Sequence, residues 1–111
     1  MSKTVGKVQV GQLQYTIVEE DNGENVYDDD EEGARVGLCC FFDEKIIIHK
    51  RLSKARKRRA LAHELCHAHL EATASIRESW DVEDVCGVME AFAEPIMKAV
   101  DRIYPLGKAA E

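Results

Sequence analysis

The stretch "RRALAHELCHAHLE", residues 58–71, lies inside a segment that predicts one long helix, from about Lys54 to Ala74. Ser53 precedes this segment, and its hydroxyl can accept a hydrogen bond from a backbone N–H that the first helical turn leaves free. A second helix is predicted from about Asp81 to Tyr104. Its apolar residues recur at helical spacing: Val85, Met89, Phe92, Ile96, Val100 and Ile103. Pro95 lies inside this helix, where it is expected to introduce a kink.

The first half of the chain predicts four short strands arranged as two hairpins. Apolar residues alternate from Val8 to Val18, and the phase of this alternation changes at Gly11-Gln12, a pair that suits a type II′ turn. The runs "RVGLCCFF" and "KIIIH" are β-prone and are joined by Asp43-Glu44-Lys45. The 111 residues therefore predict a single domain, residues 1–111, of the α+β class, in which a small antiparallel sheet packs with two helices.

Charge is distributed unevenly along the chain. Nine of the 21 acidic residues fall in residues 19–32 without a base, which predicts an exposed acidic loop over about residues 19–33. Seven bases fall between Lys50 and Arg59, where they oppose the dipole of the predicted helix. A solvated face, the protein's own acidic loop, an acidic partner or nucleic acid could compensate them. The net charge of −6 and the lack of interleaved aromatic residues argue against nucleic acid.

The sequence indicates a protein of the cytoplasm. Its apolar runs are too short to cross a bilayer, and the N-terminus lacks the apolar core of a secretory signal. The four cysteines, Cys39, Cys40, Cys66 and Cys86, are expected to be reduced side chains that pack as small hydrophobes. Residues 105–111 are expected to form a flexible tail.

The predicted first helix carries residues suited to binding zinc. His63 and His67 are four residues apart, so a helix presents both imidazoles on one face. Glu64 follows the first histidine and can accept a proton from a water molecule that zinc activates. This spacing, H-E-x-x-H, is typical of metallopeptidases. Leu70 and Thr73 stand where the longer metzincin motif has glycine and histidine, which excludes that class.

A third zinc ligand is expected from the second helix, where Glu83, Glu90 and Glu94 are the candidates. Glu83 lies near the helix start, where acidic residues are favoured by the helix dipole in any case. Glu90 has apolar neighbours on its helical face, which suits a buried ligand, whereas Glu94 neighbours Lys98. The sequence therefore favours Glu90, with Glu94 as the alternative.

Over roughly residues 6–104 the chain resembles small phage-type members of the ImmA/IrrE family of zinc metallopeptidases. The resemblance is strong over "DEKIIIHKRLSKARKRRALAHELCHAHLE" and "GVMEAFAEPIMKAV" and loose over the N-terminal strands. It implies a minimal gluzincin-like zinc peptidase core, with the family's third ligand on Glu90 within "MEAFA". It also implies a protein or peptide substrate, often a helix-turn-helix repressor of a phage or other mobile element. The basic run before the motif and Pro95 depart from the family pattern.

The sequence therefore predicts a zinc-dependent metallopeptidase in which His63, His67 and Glu90 bind Zn²⁺ and Glu64 is the catalytic base. The alternative is a non-catalytic, zinc-stabilised adaptor that binds a protein or nucleic acid through the basic helix. A structural zinc site of that kind would need a fourth protein ligand, for which Cys66 and Cys86 are candidates. Four further residues have secondary expectations: a structural or solvent-facing role for His69, a place beside the cleft for His49, and oxyanion donation for Tyr27 and Tyr104.

Overall fold

The computed structural model describes residues 2–21, 37–75 and 79–107. The described residues form four strands and two helices, in the order ββββαα. These elements are β1 (Ser2–Val10), β2 (Leu13–Glu20), β3 (Gly37–Cys40), β4 (Lys45–His49), α1 (Lys54–Ala72) and α2 (Val82–Ile103). The chain therefore has the predicted α+β class.

The two predicted hairpins are present and antiparallel, β1 with β2 and β3 with β4. Gly11 has a φ of +61° in the first turn, whereas Gln12 is not among the described residues with positive φ. A positive φ at the first central residue alone is the signature of the predicted type II′ turn.

The sheet is mixed rather than antiparallel, which corrects the prediction. Its strand order is β1-β2-β4-β3, and β2 pairs with β4 in parallel, with Thr16 opposite Lys45 and Glu20 opposite His49. A parallel pair needs a long connection, and residues 21–44, which include β3, provide it. The hairpin signals are local and do not specify which strands of the two hairpins meet.

Helix α1 covers one face of this sheet. Alternate residues of the central strands are fully buried against it, among them Tyr15 and Ile17 of β2 and Ile46 and Ile48 of β4. The opposing residues of α1 include Leu61, Leu65 and Ala68, which have no exposed area. Helix α1 begins as predicted, because the Ser53 side chain accepts a hydrogen bond from the backbone N–H of Arg56.

Helix α2 runs antiparallel to α1 and is anchored at its C-terminal end. Asp101 pairs with Arg58 near the start of α1, and Phe92 stacks on His69 near its end. Asp81 and Asp84 form a capping box at the start of α2, and the helix continues through Pro95 to Ile103. Among the described residues, no helix is long and apolar enough to cross a membrane.

The acidic segment starts inside the sheet rather than in a loop. Strand β2 extends to Glu20, and Glu19 is buried beneath the start of α1. The expectation of an exposed loop from residue 19 onward therefore does not hold for these two residues. Residues 22–33 of the predicted loop and residues 108–111 of the predicted tail lie outside the described part of the chain.

Candidate active site

Helix α1 places the two histidines of the motif side by side, as the spacing predicts. The ring centroids of His63 and His67 are 4.9 Å apart, with an angle of 66° between the ring planes. Both side chains are exposed. Because residues four apart share one face of a helix, the backbone of α1 alone holds this pair open to solvent and available to a metal ion.

Glu64 lies one step around the helix and is buried, with 8% of its surface exposed. Its side chain packs against the backbone of Gly37 at the start of β3. A Cβ atom at position 37 would lie 3.2 Å from Glu64 Cγ and 3.3 Å from Glu64 Oε2. Only glycine leaves that space free, so β3 approaches the Glu64 side chain closely at this point.

Sequence reasoning missed the role of Gly37. A signal was present, because an isolated glycine inside the β-prone run "RVGLCC" marks a close approach of another part of the chain. It did not indicate that the approaching group would be the glutamate of the histidine motif. That partner became identifiable only once β3 was placed at the edge of the sheet beside α1.

The side chain that follows along the helix-facing side of β3 is Cys39. Burial, together with the nearby Glu64, Cys40 and Glu71, raises the pKa of this thiol to about 12. Burial also raises the pKa of the Cys66 thiol. These two cysteines are therefore neutral and partly buried, as expected of small core side chains, whereas Cys86 is exposed on α2.

The structure does not bring a third ligand to the two histidines. Among the described residues, no group of three or more His, Cys, Asp or Glu side chains is placed to hold a metal ion. Glu83, Glu90 and Glu94 are all exposed on α2. Among the described residues, neither Cys66 nor Cys86 forms a ligand group with the histidine pair. His63 and His67 can supply two imidazole nitrogens to a zinc ion. Glu90 stays a predicted third ligand.

The candidate ligands of α2 do not meet the histidine pair because of the side of α1 on which α2 packs. Arg58 and His69 of α1 both contact α2. At about 100° per residue, His69 lies roughly 120° around the helix from His63 and roughly 160° from His67. Helix α2 therefore packs away from the face that carries the histidine pair.

His69 and His49 have structural roles in the fold. The ring of His69 stacks on Phe92 with a centroid distance of 4.9 Å, and burial lowers its pKa. His69 is therefore structural, one of the two roles expected of it. His49 is 1% exposed at the end of β4, where its Nδ1 accepts a hydrogen bond from the backbone N–H of Arg51 at 3.1 Å.

A buried polar contact joins β2, α1 and α2, and the sequence did not predict it. The hydroxyl of Tyr104 donates a hydrogen bond to Glu19 Oε2 at 2.7 Å, and Lys57 Nζ lies 3.1 Å from the same oxygen. The Tyr104 hydroxyl is therefore committed to Glu19 rather than free to stabilise an oxyanion. Tyr27, the other expected donor, lies outside the described residues.

Acidic residues of the chain itself compensate part of the basic run at the start of α1. Lys57 pairs with Glu19, and Arg51 pairs with Asp21 at 3.0 Å. Arg58 pairs with Asp101 at 2.7 Å. Two of the nine acids of the acidic segment, Glu19 and Asp21, therefore form ion pairs with the basic run. Of the expected ways to compensate the basic charge, this supports the one in which the protein's own acidic segment does so.

Comparison with known proteins gives one match. The family model described as Peptidase_M78, IrrE N-terminal-like domain, matches residues 13–86. The matched region covers two thirds of the chain, from the start of β2 to the first turns of α2, and includes His63, Glu64 and His67 but not Glu90. No curated protein and no solved structure gives a significant match.

Proposed function

We propose that this chain, which belongs to the Peptidase_M78 family of IrrE N-terminal-like domains, is a zinc-dependent metallopeptidase that hydrolyses a peptide bond in a protein substrate. Family membership supports an activity of the metallopeptidase type. The observation that carries the proposal is the arrangement on α1, where two exposed imidazoles adjoin a buried carboxylate.

Each residue of the motif has a separate role in this proposal. His63 and His67 would hold the metal, and zinc bound there would supply a water molecule with a lowered pKa. Glu64 would act as the general base and then the general acid, accepting a proton and passing it to the leaving amine. Because Glu64 is held against Gly37, its carboxylate is positioned before substrate arrives. Glu90 is the proposed third ligand, with Glu94, one turn further along α2, as the alternative. In the structure both are exposed on α2 and form no ligand group with the histidine pair, so the proposal requires α2 to move toward that pair when zinc binds.

An extended protein segment is the form of substrate that the fold accommodates. Strand β3 is the edge strand beside α1, and within the described residues only β4 pairs with it. A segment that adds to this edge through backbone hydrogen bonds would pass the carboxylate of Glu64. We propose a regulator of a phage or mobile element as the substrate and the cytoplasm as the site of action, following the resemblance to the ImmA/IrrE family.

The adaptor alternative would need a closed zinc site with four protein ligands. Among the described residues, no group of three or more potential metal ligands is present to form such a site. Against the nucleic-acid form of this alternative, Arg51, Lys57 and Arg58 of the basic run are already paired within the chain. The two functions differ in one measurable property, which is hydrolysis by the zinc-loaded protein.

The test compares the zinc-loaded parent with two variants that keep side-chain size. Glu64→Gln cannot accept a proton, so we expect it to retain zinc and fold while cleavage falls by about 10²–10⁴-fold. Glu71→Gln, two turns further along α1, is the matched control and should cleave like the parent. The readouts are metal content and cleavage of unfolded casein and of a helix-turn-helix regulator.

Two results would overturn the proposal. One is equal cleavage by Glu64→Gln and the parent, since the glutamate would then not be the base. The other is unchanged zinc affinity in His63→Ala, since the histidine pair would then not hold the metal. Stoichiometric zinc without any cleavage by the parent would favour the adaptor.

A further inference from the structure

The backbone hydrogen bonds of β4 alternate between its two neighbouring strands. The N–H of Thr16 donates to the carbonyl of Glu44, the residue before β4. The N–H of Lys50, the residue after β4, donates to the carbonyl of Glu20. Because successive residues of a strand direct these groups to opposite sides, the even-numbered residues of β4 face β2. The odd-numbered residues, among them Ile47, therefore face β3.

Strand β3 consequently presents the backbone groups of Gly37 and Cys39 at the edge of the sheet. Ile47 is opposite Leu38, so the backbone of Leu38 is directed toward β4. Its neighbours Gly37 and Cys39 direct their N–H and C=O groups to the other side of β3, where no strand pairs among the described residues. An edge of this kind is a template for an added strand.

The same two residues face the helix that carries the histidine motif. A Cβ atom at Gly37 would lie 3.3 Å from Glu64 Oε2, and burial and then the nearby charge of Glu64 raise the pKa of the Cys39 thiol. Directly opposed residues of paired strands share one face of the sheet. A segment paired with β3 would therefore place the side chains opposite Gly37 and Cys39 on the α1 side, beside Glu64.

The other face of β3 ends in an exposed apolar side chain. Leu38 lies between Gly37 and Cys39, so it points away from α1, and it is 39% exposed. It is opposite Ile47, which is in turn opposite Val18 of β2, a residue that is only 6% exposed. These three side chains form one apolar row across β3, β4 and β2, and the row stops at the edge of the sheet.

We propose that β3 selects extended substrate segments that carry an apolar side chain opposite Leu38. The backbone of the segment pairs with Gly37 and Cys39, and its apolar side chain lengthens the apolar row by one position. Backbone pairing supplies affinity in such a complex, and the side chains at alternate positions supply specificity. The residues on either side of the selected one face α1 and pass Glu64. The inference rests on the proposed function, which identifies the bound segment as a peptidase substrate.

A substrate segment fits this edge better than a second copy of the chain does. Strand β3 has only four residues, and short edge strands are one means by which sheets avoid pairing with one another. The backbone groups at the edge belong to the two residues that face Glu64, so the edge is continuous with the candidate active site.

The first test measures peptide binding by the full chain carrying Glu64→Gln, which keeps the peptide intact. The labelled peptide has about nine residues, with valine at alternate positions and serine between them. We expect saturable binding that weakens by about tenfold when Leu38→Asp is added, and by about threefold with Leu38→Thr, which keeps a strand-forming residue. Met97→Asp is the matched control, because Met97 is 42% exposed on α2 and receives the same charge. Fluorescence anisotropy measures binding, and circular dichroism compares the folding of the variants.

Two changes to the peptide test backbone pairing and side-chain selection separately. N-methylation of one alternate set of residues should abolish binding and N-methylation of the other set should not, because only one set directs its N–H groups to β3. Glutamine in place of every valine should weaken binding by at least about fivefold. Equal binding by Leu38→Asp and Met97→Asp would overturn the inference, as would equal binding of the two methylated peptides.

Cleavage by the zinc-loaded parent separates this inference from the proposed function. Binding that depends on Leu38 without any cleavage would support selection by β3 and contradict the peptidase function. Cleavage of the valine and glutamine peptides with equal kcat/KM would overturn the selection and leave the peptidase function standing. A dimer of the parent that Leu38→Asp dissociates, seen by light scattering, would overturn the inference by assigning the edge to a second copy.

Discussion

The hydroxyl of Tyr104 donates a 2.7 Å hydrogen bond to the carboxylate of Glu19, 85 residues away in the sequence. Glu19 is the penultimate residue of β2, and Tyr104 caps the C-terminus of α2. Lys57 of α1 lies 3.1 Å from the same carboxylate oxygen and 5.9 Å from the centre of the Tyr104 ring. One buried carboxylate thus joins the sheet to both helices.

Removing the Tyr104 hydroxyl should destabilise the fold. In Tyr104→Phe the buried carboxylate loses one of its two partners, and a hydrogen bond to a charged group contributes roughly 1.5–3 kcal/mol. The measurement is urea unfolding followed by circular dichroism. Lys98→Ala is the control, because its pair with Glu94 is exposed and should contribute only about 0–1 kcal/mol. Equal losses in the two variants would mean that the buried contact contributes no more than a surface pair.

The same contact should make the protein sensitive to alkaline pH. Burial and the hydrogen bond to Glu19 raise the pKa of Tyr104 above its ordinary value of 10.0, and burial raises that of Tyr15 to about 12. Above pH 10 the unfolded chain loses these protons while the folded chain retains them, so folding stability falls as pH rises. We expect the melting temperature to fall above about pH 10, with a shallower fall in Tyr104→Phe. An identical slope in both proteins would contradict this assignment.

Adding a methyl group at Gly37 should displace the side chain of Glu64. The Cβ of Gly37→Ala would lie 3.2–3.3 Å from Glu64 Cγ and Oε2, so the carboxylate must shift. We expect about tenfold lower peptidase activity with zinc content unchanged, because small displacements of a catalytic group lower the rate steeply. The control is Gly87→Ala, where nothing lies within 4 Å and the helix should gain about 0.5–1 kcal/mol. Full activity in Gly37→Ala would show that β3 does not position Glu64.

Alanine substitutions on α2 identify the third zinc ligand. Glu90→Ala should lose most of its zinc and, with it, the stabilisation that a metal bound to the native state provides. Glu94→Ala and Glu83→Ala should bind zinc and melt like the parent. Metal content and thermal melting with and without zinc are the measurements. If Glu90→Ala bound zinc tightly and Glu94→Ala did not, the third ligand would be Glu94, one helical turn further along α2.

Shortening the acidic segment should expose the basic run to polyanions. Deletion of residues 28–32 removes five acids. The pairs of Asp21 with Arg51 and of Glu19 with Lys57 show that the start of this segment already compensates the basic run. We expect tighter binding to heparin and a change in stability of about 0–1 kcal/mol, the range of exposed ion pairs. Glu83→Gln, which removes an acid from α2, should bind heparin like the parent. Unchanged heparin binding after the deletion would rule out screening by residues 28–32.

Local signals in the sequence were sufficient for the helices, the turns and the histidine pair. The first helix begins at Lys54 as predicted, because the Ser53 side chain accepts a hydrogen bond from the backbone N–H three residues along the chain. Asp81 acts in the same way on α2. The first helix ends at Ala72, two residues before the predicted end. The juxtaposition of His63 and His67 likewise needs only the helical repeat. Each of these features depends on groups within about one helical turn of each other, so their spacing can be read directly from the sequence.

Tertiary packing decided the features that join distant segments. The parallel pairing of β2 with β4, the approach of Gly37 to Glu64 and the burial of Glu19 beneath Tyr104 connect residues that no local pattern relates. Packing also decided which side of α1 receives α2, so that His69 rather than the motif histidines faces the second helix. The helical period specifies which residues share a face, but the partner of each face follows from how all the apolar faces are buried together.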